Sequence, residues 1–305
     1  MDLRHLRYFV AVAEEGHLTR AAERLRIEQP SLSRLIKSIE RDLDAQLFRR
    51  RPRGVELTDA GRAFLDKARA ILANVDQAVV MVKRTARGEQ GRISVGLAHT
   101  APFHPFVPPV IRAYRETFPL VSLTLDESGS DLLIQSLRDE RIDAAFIRSP
   151  PADSEGLLIS RLSEEEVVAA LPSGHPLAVD KGKRDTALPL KALANEPFIL
   201  GRRLTLALHA MTIAACHSAG FAPKVAQEIP RVTSALAYVA AGLGVAFVPA
   251  SMQRMQMRGV SFRRVTSPLR PTLPLILASR RGDPSPVVRK FVTLVRQAAK
   301  DFPAA

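Results

Sequence analysis

The stretch from Gln29 to Arg53 carries side chains whose chemistry suits the recognition of DNA. Apolar residues at helical spacing predict a helix that opens at Gln29, with proline tolerated in its first turn. Amides and guanidinium groups read base edges in the major groove, and hydroxyls bind phosphates or bases. The polar face that would do so consists of Gln29, Pro30, Ser31, Ser33, Arg34, Lys37 and Arg41. A merely solvated amphipathic helix would show the same pattern, so the helix alone leaves both interpretations open.

An arginine-rich hairpin is predicted directly after this helix. Residues 47–57 contain two short strand-like segments around Pro52 and Gly54, the pattern of a wing. Its arginines are Arg49, Arg50, Arg51 and Arg53. So many like charges in a narrow turn are costly without an anion nearby, whereas phosphates or a minor groove would stabilise them. The hairpin therefore favours the DNA-binding interpretation.

Two further helices are predicted before the helix that opens at Gln29, and they would position it. A long helix is predicted after the hairpin. Periodicity predicts a first helix that ends at Gly16 and a second over 18–25, which Thr19 helps to start. Thr58-Asp59 caps a helix that runs to about Gly88. Its apolar residues alternate steps of four and three, at Phe64, Ala68, Ile71, Val75, Ala78 and Val82. This spacing suits a coiled coil with a second chain, although packing against its own chain would use the same residues.

Several segments of the first 61 residues resemble the LysR-type regulator family, in register and in order. They are Leu6-Arg7-Tyr8-Phe9, Thr19-Arg20-Ala21-Ala22, Gln29-Pro30-Ser31-Leu32-Ser33, Ile39-Glu40, Leu47-Phe48-Arg49-Arg50 and Leu57-Thr58-Asp59-Ala60-Gly61. The resemblance implies sequence-specific control of transcription, a small-molecule effector and a homotetramer built as a dimer of dimers. Operator DNA and RNA polymerase are the macromolecular partners that such a role implies.

The remaining chain predicts an α/β region. Strand-like and helix-like segments alternate after a polar break at 88–91 that suits a hinge. Strands are expected at 92–97, 121–125, 144–147, 167–171, 198–200, 245–248 and 275–278, and helices at 110–118, 132–138, 235–241 and 286–299. This layout resembles the family's two-lobed, periplasmic-binding-protein-like domain, and Gly242 to Pro249 match its turn into a strand.

We therefore expect a multidomain α+β and α/β chain. A winged helix-turn-helix would span 1–58, a linker helix for dimerisation 59–88, and an effector-binding domain 89–305. Lobe I of that domain would cover about 92–162 and 268–305, and lobe II about 163–267.

Loops after the strands of this domain are where an anion would bind, because helix amino ends point there. The candidate effector-binding residues are His99, Thr100, Ser128, Ser130, Arg148, Phe198, Ile199 and Leu200. Thr100 and Ser130 resemble positions at which muconate-responsive and aromatic-acid-responsive members hold a carboxylate, which implies a carboxylated effector, either aromatic or muconate-like. Helix capping would also explain both hydroxyls, and Arg148 could be a surface charge. His99 has no counterpart in the resemblance.

Other classes of function fit poorly. The single cysteine, Cys216, allows no internal disulfide, and neither it nor the spacing of His209 and His217 predicts a metal site or a catalytic nucleophile. No cofactor motif is present, so we expect no enzyme. The formal net charge of +13 suits a polyanionic partner. With neither a secretion signal nor a membrane segment, a cytoplasmic regulator is favoured over a transporter's solute-binding protein. An architectural DNA binder would leave the two-lobed region unexplained.

Overall fold

The computed structural model describes residues 1–178, 187–201 and 206–302. The chain divides into two compact units, Met1–Arg84 and Thr85–Ala305.

The first unit begins with three short helices and a hairpin. These are α1 (Leu3–Glu15), α2 (Leu18–Leu25), α3 (Gln29–Asp42), β1 (Phe48–Arg51) and β2 (Gly54–Leu57), followed by the long helix α4 (Asp59–Ala86). Their apolar faces meet in one core. It contains Leu6, Phe9, Val12, Ala21, Ala22, Leu32, Ile36, Ile39, Leu47 and Ala68. The predicted winged helix-turn-helix is confirmed.

Local caps explain where these helices start and stop. Gly16 ends α1 with a left-handed backbone at φ 62°, as predicted. The prediction that Thr19 helps to start α2 was wrong, because the His17 side chain accepts the Thr19 backbone N–H and caps that helix instead. The Thr58 hydroxyl caps α4 by accepting the Gly61 N–H at 2.9 Å.

The long helix α4 has two different surroundings within the first unit. Phe64 and Ala68 pack into the core of the three helices, so the first part of the apolar seam lies against its own chain. Further along, Ile71 is 43% exposed and Val82 is 63% exposed. The second part of the seam therefore remains open to an external partner.

The second unit is a two-lobed α/β structure, as predicted. Its strands are β3 (Gln90–Ala98), β4 (Leu120–Ser128), β5 (Ala144–Ile147), β6 (Leu157–Pro172), β7 (Leu188–Pro189), β8 (Pro197–Gly201), β9 (Lys224–Ile229), β10 (Ala246–Pro249), β11 (Val260–Thr266) and β12 (Thr272–Arg280). Its helices are α5 (Val107–Thr117), α6 (Ser130–Arg138), α7 (Leu206–Ser218), α8 (Val232–Ala240) and α9 (Pro286–Lys300).

One long strand joins the two lobes. The first part of β6 pairs with β12, and its last residues pair with β10 and β11. Parallel β3, β4 and β5 with α5, α6 and α9 enclose one core, which defines lobe I. The end of β6 with β8, β10, α7 and α8 encloses the other, which defines lobe II.

Most of the predicted elements are present, and three strands were missed. The strands β7, β9 and β11 were not predicted at all, and the prediction for β6 covered only 167–171 of its sixteen residues. The polar break is shorter than expected, because β3 already begins at Gln90. It is also tightly packed: a Cβ on Gly88, whose φ is +66°, would lie 2.6 Å from the Pro286 carbonyl carbon. The hinge at 88–91 stays a prediction.

Candidate DNA-reading surface and ligand cavity

The predicted reading face of α3 lies at the surface of the first unit. Gln29, Pro30, Arg34 and Lys37 are exposed, and Ser31 and Ser33 are half-buried. The Arg34 guanidinium lies 3.4 Å from both the Pro30 carbonyl oxygen and the Ser31 hydroxyl, so it stays near the amino end of the helix. A helix amino end attracts phosphate through its free N–H groups. The arrangement therefore offers base-reading and phosphate-binding groups together.

The arginines of the hairpin differ in their partners. Arg51 pairs with Glu56 on the opposite strand, with its Nη2 at 2.8 Å from the carboxylate. Arg50 and Arg53 are exposed and form no ion pair with any residue that the structure describes. These two cations are thus available to an external polyanion, whereas Arg51 would have to exchange partners.

A close backbone contact fixes the hairpin against the turn between α1 and α2. The Val55 N–H donates to the Gly16 carbonyl at 2.8 Å. Gly54 has φ +146°, and a Cβ there would lie 2.2 Å from the Gly16 oxygen. Only glycine fits this approach, because it has no Cβ and tolerates positive φ.

A cavity of about 50 Å³ lies between the lobes of the second unit. Its lobe I wall is mainly polar and its lobe II wall is apolar. It is lined by Ala98, His99, Thr100, Gly129, Ser130, Asp131, Arg148 and Ser149 from lobe I, and by Ala207, Leu208, Val232 and Leu273 from lobe II. The polar groups follow β3, β4 and β5 in the chain. They come together because the carboxyl ends of these parallel strands meet at one edge of the sheet.

Arg148 is the most unusual residue of the cavity. It is only 5% exposed, so it is not a surface charge. Its Nη2 pairs with the Glu165 carboxylate, while Nε and Nη1 are buried without a hydrogen-bond partner among the described residues. Burial lowers the pKa of Arg148, and the Glu165 charge opposes that shift. Two buried donors of a charged group thus lack an acceptor, which is costly unless a ligand supplies one.

Two residues with hydroxyl groups, Thr100 and Ser130, line the same cavity as Arg148. The Ser130 hydroxyl accepts the Arg148 backbone N–H at 3.1 Å, so its own proton can be donated elsewhere. Thr100 is 5% exposed, and its hydroxyl makes no hydrogen bond with the residues described. Neither side chain caps the helix or turn that it adjoins. Helix capping therefore does not account for these hydroxyls.

A buried polar cluster continues behind Arg148. The second Glu165 oxygen accepts the Ser251 N–H of lobe II at 2.7 Å. His104 lies with its Nε2 4.0 Å from Glu165 and 3.3 Å from the Ser163 hydroxyl. Burial lowers the pKa of His104 to about 4, so its imidazole is neutral at neutral pH. Sequence reasoning missed Glu165, because nothing near it in the chain marks its pairing with Arg148.

The remaining predicted effector residues lie elsewhere. Ser128 ends β4 half-buried and does not line the cavity, and Phe198 is wholly buried in the lobe II core. Ile199 and Leu200 line a separate cavity of about 10 Å³, which shares Leu208 and Val232 with the larger one. The structure therefore brings His99, Thr100, Ser130 and Arg148 together and leaves Ser128 and Phe198 outside.

The described part of the chain gives little support for a metal site, a reactive thiol or a membrane-spanning helix. No group of three or more His, Cys, Asp or Glu residues is arranged there to hold a metal ion. Cys216 is buried, and burial raises the pKa of its thiol to about 11, which disfavours a thiolate nucleophile. No helix among these residues has the length and apolar character needed to span a membrane.

Comparison with known proteins identifies both units. Residues 3–62 match the model of the bacterial regulatory helix-turn-helix proteins of the lysR family, and residues 86–300 match the LysR substrate binding domain. The HTH-type transcriptional regulator BenM of Acinetobacter baylyi is 36% identical over 97% of this chain and 96% of its own. AlsR of Bacillus subtilis is 34% identical over 96% of this chain and 94% of its own.

A solved structure shows the same likeness in three dimensions. Full-length CbnR complexed with its target DNA superposes with a TM-score of 0.84 at 29% identity, covering 98% of this chain and 100% of that one.

Proposed function

The chain belongs to the LysR family of DNA-binding transcriptional regulators, and we propose that its response is set by a small carboxylate bound between the lobes. The observation that carries this proposal is the buried Arg148, whose Nε and Nη1 lack acceptors among the described residues, in a cavity that Thr100 and Ser130 also line. A carboxylate would accept from the guanidinium and from Thr100 and Ser130, and charge-assisted bonds of this kind are strong. The amino end of α6 adds a favourable dipole.

The opposite wall of the cavity indicates what else the ligand carries. Ala207, Leu208, Val232 and Leu273 present apolar surface toward the carboxylate position. The cavity of about 50 Å³ has room for roughly four water molecules, so a short aliphatic acid fits it, whereas an aromatic acid would extend beyond it or part the lobes. A movement of this kind would couple ligand binding to the shape of the domain.

We expect the double substitution of Thr100→Val and Ser130→Ala to weaken acid binding about a hundredfold. Each hydrogen bond to a charged carboxylate contributes about 1.5 kcal/mol or more, and the two together correspond to about two decades in Kd. Titration calorimetry with propionate, benzoate and cis,cis-muconate measures the change. Ser128→Ala is the matched control, since that hydroxyl does not line the cavity. Unchanged acid binding by the double variant would contradict the proposed site.

For the first unit, we propose that α3 reads bases and that the hairpin binds phosphate or the minor groove. The exposed Gln29, Arg34 and Lys37 support the first role, and the exposed Arg50 and Arg53 support the second. The predicted contacts of Pro30, Ser31, Ser33 and Arg51 belong to the same proposal.

Arg34→Ala should reduce the preference for operator over scrambled DNA by about tenfold or more, because one good base contact discriminates by about 1–3 kcal/mol. Lys67→Ala, on the exposed surface of α4 and outside the reading face, is the control and should lower affinity for both DNAs alike, if at all. Fluorescence anisotropy at fixed salt measures both affinities. An equal loss on both DNAs in Arg34→Ala would show that Arg34 contacts phosphate only.

We further propose that α4 pairs with the same helix of a second chain, in a dimer or a dimer of dimers. The exposed apolar residues of its second part support this, with Ile71 and Val82 among them. Two such chains would present two reading helices to a pseudo-palindromic operator. A light-scattering mass equal to one 33.4 kDa chain would contradict the pairing.

A further inference from the structure

We propose that His99, held by Glu127, recognises a hydrogen-bond donor next to the effector's carboxylate, so that the effector is a hydroxy acid or an amino acid. This inference rests on the carboxylate site proposed above and names the chemical class of its ligand. His99 lines the same cavity as Thr100, Ser130 and Arg148.

Neighbouring strands bring the imidazole and its partner together. His99 follows β3, and Glu127 is the next-to-last residue of the adjacent parallel strand β4. The His99 Nδ1 lies 3.1 Å from the Glu127 Oε1. A carboxylate accepts from an N–H, so this contact places a proton on Nδ1. In the neutral ring Nε2 is then an acceptor, and no described residue donates to it.

The hydrogen-bonding groups of the cavity are unevenly distributed. Arg148, Thr100 and Ser130 supply donors, which a carboxylate satisfies. His99 and Asp131, which also line the cavity, carry acceptors in the imidazole Nε2 and the carboxylate. A plain carboxylic acid offers these acceptors no donor. A hydroxyl or an ammonium group on the carbon beside the carboxylate would satisfy them.

The surrounding charges agree with this assignment. On the β4 side of β3, Glu127 contacts the imidazole, and Asp131 also lines the cavity. Arg148 follows β5, which pairs with the opposite edge of β3, and it shares its charge with Glu165. A second carboxylate of the ligand would be repelled on the β4 side, whereas a neutral donor or a cation would not. The imidazole side of the cavity therefore selects against acids without a donor.

Two series of acids that differ in one group test the inference. Phenylacetate, mandelate and phenylglycine share one skeleton, as do propionate, lactate and alanine, and each series carries hydrogen, hydroxyl or ammonium on the same carbon. With the full-length protein in titration calorimetry, we expect a hydroxyl or ammonium member to bind about tenfold more tightly than its parent acid, the effect of one good hydrogen bond. Comparison of the hydroxyl and ammonium members tells which donor is preferred.

Substitution of the histidine connects the preference to His99. His99→Leu removes the acceptor and should abolish the preference, so that the parent and substituted acids bind with equal affinity. His99→Gln keeps an acceptor oxygen and should retain part of the preference. Equal binding of the parent and substituted acids to the unaltered protein, or a preference that persists in His99→Leu, would overturn the inference alone. If no acid of either series binds, the carboxylate site itself fails and the inference with it.

Discussion

Arg148→Met is expected to abolish acid binding and to destabilise the second unit by about 3–5 kcal/mol. The substitution removes the guanidinium but leaves the Glu165 carboxylate, whose side chain is 7% exposed, as a buried charge without a cation. Removal of one partner of a buried ion pair costs about 3–5 kcal/mol of stability, because the remaining charge stays desolvated. Thermal and urea unfolding measure the loss, and calorimetry with the acids measures binding.

A compensating substitution separates stability from ligand binding. Glu165→Gln removes the stranded charge, and its amide oxygen can still accept the Ser251 N–H that Glu165 accepts at 2.7 Å. In the double variant of Arg148→Met and Glu165→Gln, stability should return to within about 1 kcal/mol of the unaltered protein, because a neutral pair carries no such penalty. Acid binding should stay absent. Recovery of acid binding together with stability would show that Arg148 is a structural residue only.

Gly61→Ala is expected to destabilise the first unit by about 3 kcal/mol and to abolish DNA binding. An added Cβ would lie 2.1 Å from the Leu47 carbonyl oxygen and 2.9 Å from the Leu57 side chain. That carbonyl also accepts the Thr58 N–H at 2.9 Å, so the backbone has little freedom to move away. Alanine favours a helix over glycine by about 1 kcal/mol, but the cost of overpacking is larger and decides the sign.

Ala63→Gly is the control for helix propensity. Ala63 lies in the same helix and is exposed, so its loss should cost only about 1 kcal/mol and leave DNA binding intact. Circular dichroism during thermal unfolding and anisotropy with operator DNA give the two readouts. Acid binding by the second unit should be the same in both variants. Gly61→Ala protein that binds operator normally would contradict the close contact between α4 and the hairpin.

The first unit could be predicted from the sequence because local signals determine it. Gly16, the helical spacing of apolar residues and the Thr58 cap each act within a few residues of where they stand. The prediction that Thr19 helps to start α2 was wrong, because the histidine one residue before the helix, His17, caps it. The arginine-rich hairpin could be predicted from its turn residues and its charges alone.

The cavity was predictable only in part, because its decisive contacts are distant in the chain. Positions after β3, β4 and β5 were expected to meet, since the carboxyl ends of parallel strands share one edge. The Arg148–Glu165 pair depends on how β6 crosses between the lobes, and no local pattern records that. Phe198, Ile199 and Leu200 form a continuous apolar run, and such a run does not show which face of a strand is core and which borders a cavity.

Footprinting on the DNA beside the protein's own gene, with and without each acid at one stated salt concentration, tests the central claim most directly. We expect a footprint that withstands physiological salt and that changes in length or in its hypersensitive bends when one acid is added. The Thr100→Val and Ser130→Ala double variant should give the same footprint without the acid-dependent change. A footprint that no acid alters, or one that changes equally in the double variant, would contradict a carboxylate-responsive regulator.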